Sequence, residues 1–141
     1  MALTANKKDY RNAFTKHLHT LNNWKDTGSK CSKRLILVYS VECGLKYLLL
    51  SKKKVNTASE LSDEHVKETI FSHDLQELLK LINWSESFRN FETNHNDVVT
   101  CRSFHEFCRY SIGAKNIANV IAFEQKLEHI LKNIEEEMLY V

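Results

Sequence analysis

The chain has 141 residues and a net charge of +2. That length allows one domain with one core and leaves no room for two, and the charge is too small to imply nucleic acid by itself. There is no proline and there are only three glycines, Gly28, Gly44 and Gly113, where average usage would give about 7 prolines. This composition favours long helices over a turn-rich β architecture.

Cys31, Cys43, Cys101 and Cys108 form no Cys-x-x-Cys pair, and MALTANKKDY at the N-terminus lacks the apolar stretch of a signal peptide. Four reduced structural cysteines in a cytoplasmic protein are expected. Cys101 and Cys108, seven apart, are expected to share a helix face.

In chain order, helical spacing of Tyr10, Phe14, Leu18 and Leu21 predicts a first helix from about Thr4 to Trp24. Asp26 to Ser32 is expected to be a turn, with Ser29 or Ser32 capping the next helix. The second helix, Arg34 to Lys54, is apolar on nearly every face, which marks the middle of a bundle or a membrane. Its apolar part, Leu35 to Leu50, is 16 residues long, short of the ~20 needed to span a bilayer. It is therefore read as the central helix of a bundle, with no membrane partner. Lys30, Lys33 and Arg34 crowd its N-terminus against the helix dipole, so an anionic partner would explain them.

Val55 to Asp63 is expected to be a loop, followed by a short helix over Glu64 to Phe71. Ser72-His73-Asp74 reads as a helix start, with Leu75, Leu78, Leu79 and Ile82 buried. Phe88, Phe91, Val98, Val99, Phe104 and Phe107 fit one broken helix or two short ones between Asn83 and Ser111. The last helix, Ala114 to Met138, would be ~37 Å long. Its expected buried stripe is Ile117, Val120, Ile121, Leu127, Ile130, Leu131, Ile134 and Met138. The fold class is thus all-α, a helical bundle in a single domain spanning residues 1–141.

Glu42 is the odd residue of the central helix. A lone carboxylate in a core costs several kcal/mol unless paired, and Lys46 stands at the favourable i+4 spacing. The pair is either an ion pair at the edge of the core or part of a polar cleft. Gly44 between them costs ~1 kcal/mol against alanine, for which close helix approach is the reason offered. No Gly-rich phosphate loop, zinc-ligand spacing, His-Glu-x-x-His or Gly-x-Ser-x-Gly occurs, so no metal or cofactor is expected.

A long first helix, YSVECGLKYLLL, then SHDLQELLKLI, then Arg109-Tyr110 before a last long helix together resemble a HEPN domain (higher eukaryotes and prokaryotes nucleotide-binding), from about Phe14 to Ile134. The motif matches are Glu42 and Lys46, His73-Asp74-Leu75, and Arg109-Tyr110. The resemblance implies an antiparallel bundle of four to five main helices that commonly forms homodimers. It implies either a metal-independent endoribonuclease, often of toxin–antitoxin or defence systems, or a degenerate module that binds RNA or a nucleotide beside a nucleotidyltransferase or nuclease. The family's catalytic signature is Arg, four to six residues, then His. The His would act as general acid/base on the RNA 2′-hydroxyl, and the Arg would hold the phosphate.

Arg89-Asn90-Phe91-Glu92-Thr93-Asn94-His95 fits that signature, and so does the run from Arg11 to His17. With five arginines and seven histidines, chance supplies roughly 0.7 such matches, so one hit carries little weight. The Arg at the family's usual place is Arg109, and no His follows it at the required spacing. The favoured reading is a binding module, with Glu42, Lys46, His73, Arg109 and Tyr110 as its polar cluster and Lys30, Lys33 and Arg34 as a basic surface. The alternative is an endoribonuclease using Arg89, Asn90 and His95 on a helical segment. Blander roles are open for each: a capping His73, an Arg109 or Lys46 that neutralises Glu42, and packed tyrosines at 39, 47 and 110 with hydrogen-bonded hydroxyls.

Overall fold

The computed structural model describes residues 4–25 and 28–140, and shows a mostly helical chain. Asn6 and Asp9 form a capping box that starts α1, Lys7–Asn22. Ser29 accepts from the Ser32 amide and starts α2, Lys30–Lys52. α2 therefore begins four residues earlier than its apolar pattern indicates, and takes Lys30 and Lys33 into its first turn. The turn expected from Asp26 to Ser32 shrinks accordingly, and its Asp26 and Thr27 lie outside the described residues.

α2 carries the core. Leu37, Val38, Val41, Leu45, Leu48, Leu49 and Leu50 are all buried along it. Contacts between α1 and α2 run in opposite directions along the two helices: Arg11 stands over Tyr47, Phe14 lies against Gly44, and His17 faces Tyr39. The two helices are an antiparallel hairpin. The last helix, α6 (Ile117–Met138), instead advances in step with α2, since Arg34 meets Glu124 and Gly44 meets Ile134. α6 is thus parallel to α2 and antiparallel to α1.

Gly44 is where all three long helices touch. A Cβ placed there would lie 2.7 Å from Ile134 Cγ2 and 2.8 Å from Phe14 Cδ1. The glycine accepts its helix-propensity cost because any side chain would push α1 and α6 away from α2.

Residues 53–116 make the crossover that returns the chain to the start of α2. The stretch expected to be a loop holds a single 3-10 turn, Ala58–Glu60, and Thr57 bridges back to Asn6 beside α1. Asp63 caps α3 (Glu64–Ile70) and Asp74 caps α4 (Leu75–Leu81), whose Leu75, Leu78 and Leu79 are buried as their spacing requires.

The crossover then departs from the sequence expectation. In place of helix, Phe91–Glu92 (β1) and Val98–Val99 (β2) pair antiparallel, Phe91 opposite Val99 and Glu92 opposite Val98. Asn94-His95-Asn96-Asp97 favours a turn over a helix. Thr93 Oγ1 accepts from the amides of His95 and Asp97, and Asn96 takes φ 68°. Phe91 and Val99 face inward while Glu92 and Val98 are exposed, the period of two that a strand imposes. Phe91 packs edge-on against Phe104, Phe107 and Phe123. Only the last part of the stretch is helical, as α5, Phe104–Arg109. Cys101 precedes that helix, so it shares no helix face with Cys108.

Asn116 caps α6, three residues later than expected. Its buried stripe is Val120, Phe123, Leu127, Ile130, Leu131 and Ile134. Ile117 and Ile121, expected in that stripe, are 59% and 43% exposed. At 100° per residue they are turned roughly 80–120° from Leu127, and Phe123 fills the core position instead.

Gly44→Val is expected to lower stability by about 2 kcal/mol or more in denaturant unfolding, because overpacking at the crossing outweighs the gain in helix propensity. A Gly44→Val protein as stable as wild type would show that the three helices can move apart at no cost.

Candidate functional site

Tyr39, Glu42, Cys43 and Lys46 recur at helical spacing along α2 and form one face. Around it stand Tyr10 and His17 from α1, His73 just before α4, and His105 and Arg109, one turn apart on α5. Glu42 is the centre. Its carboxylate accepts from His73 Nδ1 at 2.8 Å and stands 3.4 Å from Lys46 Nζ. Glu42 and Lys46 are both buried, while the His73 side chain is 48% exposed. A carboxylate only accepts, so His73 donates from Nδ1 and presents its Nε2 away from Glu42. Lys46 also stands 5.8 Å from the Tyr10 ring centroid, an aromatic face that favours its charge.

His105 stacks on His73 with ring centroids 4.3 Å apart. Burial, then the positive charge that His73 can carry, holds His105 below the usual histidine range. One turn further on, Arg109 is exposed and donates from Nη2 to the Tyr39 hydroxyl at 2.8 Å. Its guanidinium stands 5.9 Å from the Tyr110 ring. Arg34 and Arg102 each pair with a carboxylate. Arg109 is held instead by neutral groups, and no carboxylate among the described residues pairs with it, which leaves its other donors open.

Of the sequence-derived residues, Glu42, Lys46 and His73 come together as one cluster, and Arg109 joins it through His105. Arg109 does not neutralise Glu42; Lys46 and His73 take that place. Tyr110 is 64% exposed, so it is no packing residue, whereas the Tyr39 hydroxyl is hydrogen-bonded as expected. Lys30, Lys33 and Arg34 line a separate groove with Trp24, Ile117 and Ile121, and Arg34 is bound to Glu124 at 2.8 Å.

Arg89 and Asn90 line a groove with Lys115 and Asn119 at the start of the hairpin, and His95 lies at its turn. The helical segment expected to carry these three residues is a β-hairpin, and the structure joins Arg89 to His95 by no contact. His17, in the other signature match, faces Tyr39 at a ring distance of 6.5 Å. His105 is the member that the sequence reading missed. Its one signal is the four-residue spacing to Arg109, which becomes informative only once α5 is known to be helical.

Burial pushes the Cys43 thiol up to about 11 and the Cys108 thiol up to about 12, so neither is a thiolate nucleophile at neutral pH. All four cysteines are free. Among the described residues no group of three or more His, Cys, Asp or Glu side chains could hold a metal ion, and no helix is long and apolar enough to cross a membrane.

No family model, curated protein or solved structure matches this chain. The fold and the site define an all-α helical bundle with a carboxylate–histidine cluster on one face of its central helix.

Two outcomes follow from the cluster. Glu42→Gln is expected to cost about 3–5 kcal/mol in chemical denaturation because it strands a buried ammonium, whereas Glu42→Leu with Lys46→Met is expected to cost far less. Additive losses in the double variant would deny the coupling. For His105, whose pKa is lowered on folding, stability is full above the unfolded value of about 6.5 and falls as acid protonates the unfolded chain first. Thermal melts of His105→Gln between pH 7 and pH 5 are expected to show a smaller loss than wild type.

Proposed function

We propose that the face formed by His73, Arg109 and Tyr110, backed by the buried Lys46 and His105, binds a phosphate-bearing ligand, RNA or a nucleotide, and that the protein is a HEPN-like accessory module working beside a partner such as a nucleotidyltransferase or nuclease. The carrying observation is Arg109: a guanidinium aimed by the Tyr39 hydroxyl, facing solvent, with no carboxylate among the described residues holding its charge. An arginine fixed by a neutral group keeps its forked donors for an anion. Tyr110 beside it offers an exposed aromatic face on which a base can stack, and His73 Nε2 supplies a further polar contact. A setting in toxin–antitoxin or defence systems is consistent with this reading and rests on the family resemblance.

The Glu42–His73 pair favours a second reading, metal-independent RNA cleavage, because a carboxylate that fixes an imidazole tautomer is how a general base is oriented. In that case His73 Nε2 takes the 2′-hydroxyl proton as the 2′-oxygen bonds to phosphorus, the bond from phosphorus to the 5′-oxygen breaks, and that oxygen leaves with a proton from water, while Arg109 steadies the phosphate. The route through Arg89 and His95 draws no comparable support from their positions.

Fluorescence anisotropy with labelled single-stranded RNA separates these readings. Arg109→Ala is expected to weaken binding about tenfold or more and to reduce the slope of log affinity against log salt by about one. Equal affinity of wild type and Arg109→Ala would overturn the proposed site. Gel analysis of the same mixtures in EDTA reads cleavage, and only a product lost in His73→Ala would support the second reading.

A further inference from the structure

The segment that follows α4 runs beside α6 and is clamped there. Gln76 of α4 holds it at two points: its Nε2 donates to the Glu86 carbonyl at 2.9 Å, and its Oε1 accepts from the Phe88 amide at 3.2 Å. Lys126 of α6 pairs with the Glu86 carboxylate at 2.9 Å. These ties span residues 86–88, so the backbone that carries Phe88 and Arg89 is fixed relative to α6.

Between the clamped segment and α6 lies a groove of about 180 Å³. Its floor is aromatic: Phe88 stacks on Phe123 with centroids 4.6 Å apart, and Phe123 on Phe104 at 4.1 Å. Phe104 and Phe123 are buried and Phe88 is half-buried, so Phe88 is the ring with surface left for a ligand. Ala122 lines the groove from α6, and its small side chain keeps the space open. A cavity of roughly 150 Å³ with apolar walls takes up one benzene ring. This groove therefore has room for a single ring and not for a nucleotide.

The rim is polar and carries one cation more than it has carboxylates. Lys126 is held by Glu86, and Lys115, in the adjoining groove, is tied to Glu92 at 2.9 Å. Arg89 is exposed, lines both grooves with Asn119, and has no carboxylate partner among the described residues. A guanidinium suits a carboxylate, because its forked donors meet both oxygens at once. A phosphate dianion would bring a second negative charge toward Glu86 and Glu92 with nothing to match it.

We propose that this groove is a small-molecule site for an aromatic monocarboxylate. The ring lies against Phe88 and Ala122, and the carboxylate is held by Arg89 with the Asn119 amide as a neutral donor. The site shares no residue with the phosphate-binding face and is independent of that reading.

The test is an amide NMR titration of the full chain with phenylacetate, phenylacetamide and benzylamine, in which spectral dispersion reports the folding of each variant. Phenylacetate is expected to shift the amides of residues 87–89 and 119–126 saturably, with a dissociation constant of about a millimolar, as so few ligand atoms allow. Phenylacetamide, the same shape without the charge, is expected to bind about tenfold more weakly, and benzylamine not at all. Arg89→Gln is expected to bring phenylacetate down to the affinity of phenylacetamide. Ala122→Phe, which fills the groove, is expected to remove both. No saturable shift from phenylacetate, shifts centred elsewhere, equal binding of acid and amine, or phenylacetate affinity unchanged in either variant would each overturn the proposal. So would tighter binding of benzyl phosphate, or of a tripeptide ending in phenylalanine, either of which would assign the groove to a different ligand.

Discussion

The rest of the fold depends on the contact at Gly44, where α1, α2 and α6 approach so closely that backbone replaces side chain. The packing is tight enough that a single methyl there would meet both Phe14 and Ile134. The antiparallel α1–α2 hairpin and the parallel α2–α6 pair share this one point. Around it the leucines of α2 fill the space, so α2 is the helix against which both long neighbours pack.

That position also explains the site. A helix packed against two others has a strip left, and on α2 the strip holds Tyr39, Glu42, Cys43 and Lys46. α5 and the turn before α4 close over it and bring His73 against Glu42 and His105 against His73. Glu42 is satisfied by a lysine of its own helix and by a histidine that reaches solvent. The buried charge is thereby linked to a surface group, and one carboxylate both relieves the desolvation of Lys46 and orients His73. Polar side chains placed this way cost stability in isolation, which is a reason to look for function in them.

The helices were legible where one residue pattern had one physical cause. The apolar run of α2, the helix start at Ser72-His73-Asp74, and the spacing in α4 each gave the right element. Glu42 with Lys46 was readable from four-residue spacing alone. The stretch from Asn83 to Ser111 was not, because its aromatic residues satisfy a helix and a strand equally well in number. The deciding signal was the turn chemistry of Asn94 to Asp97, which weighs less in a sequence than six large apolar side chains. His105 stayed hidden for the same reason, since its partner His73 is 32 positions away and the hairpin between them had to be placed first. Ile117 and Ile121 were misassigned because a stripe read without its neighbours has no defined centre, and Phe123 shifts that centre.

The parallel course of α2 and α6 sets an order on how the chain assembles. The α1–α2 hairpin joins positions near in sequence and closes a short loop, whereas α6 can reach its place only after residues 53–116 have carried the chain back across the molecule. Contacts of high sequence separation form late because their loop entropy is lost before they stabilise anything. Until then the hairpin presents Phe14, Gly44 and the leucines of α2 as an open apolar seam. The last helix to be made is the one that shields it, so a chain interrupted before Ile117 keeps its most hydrophobic surface in water.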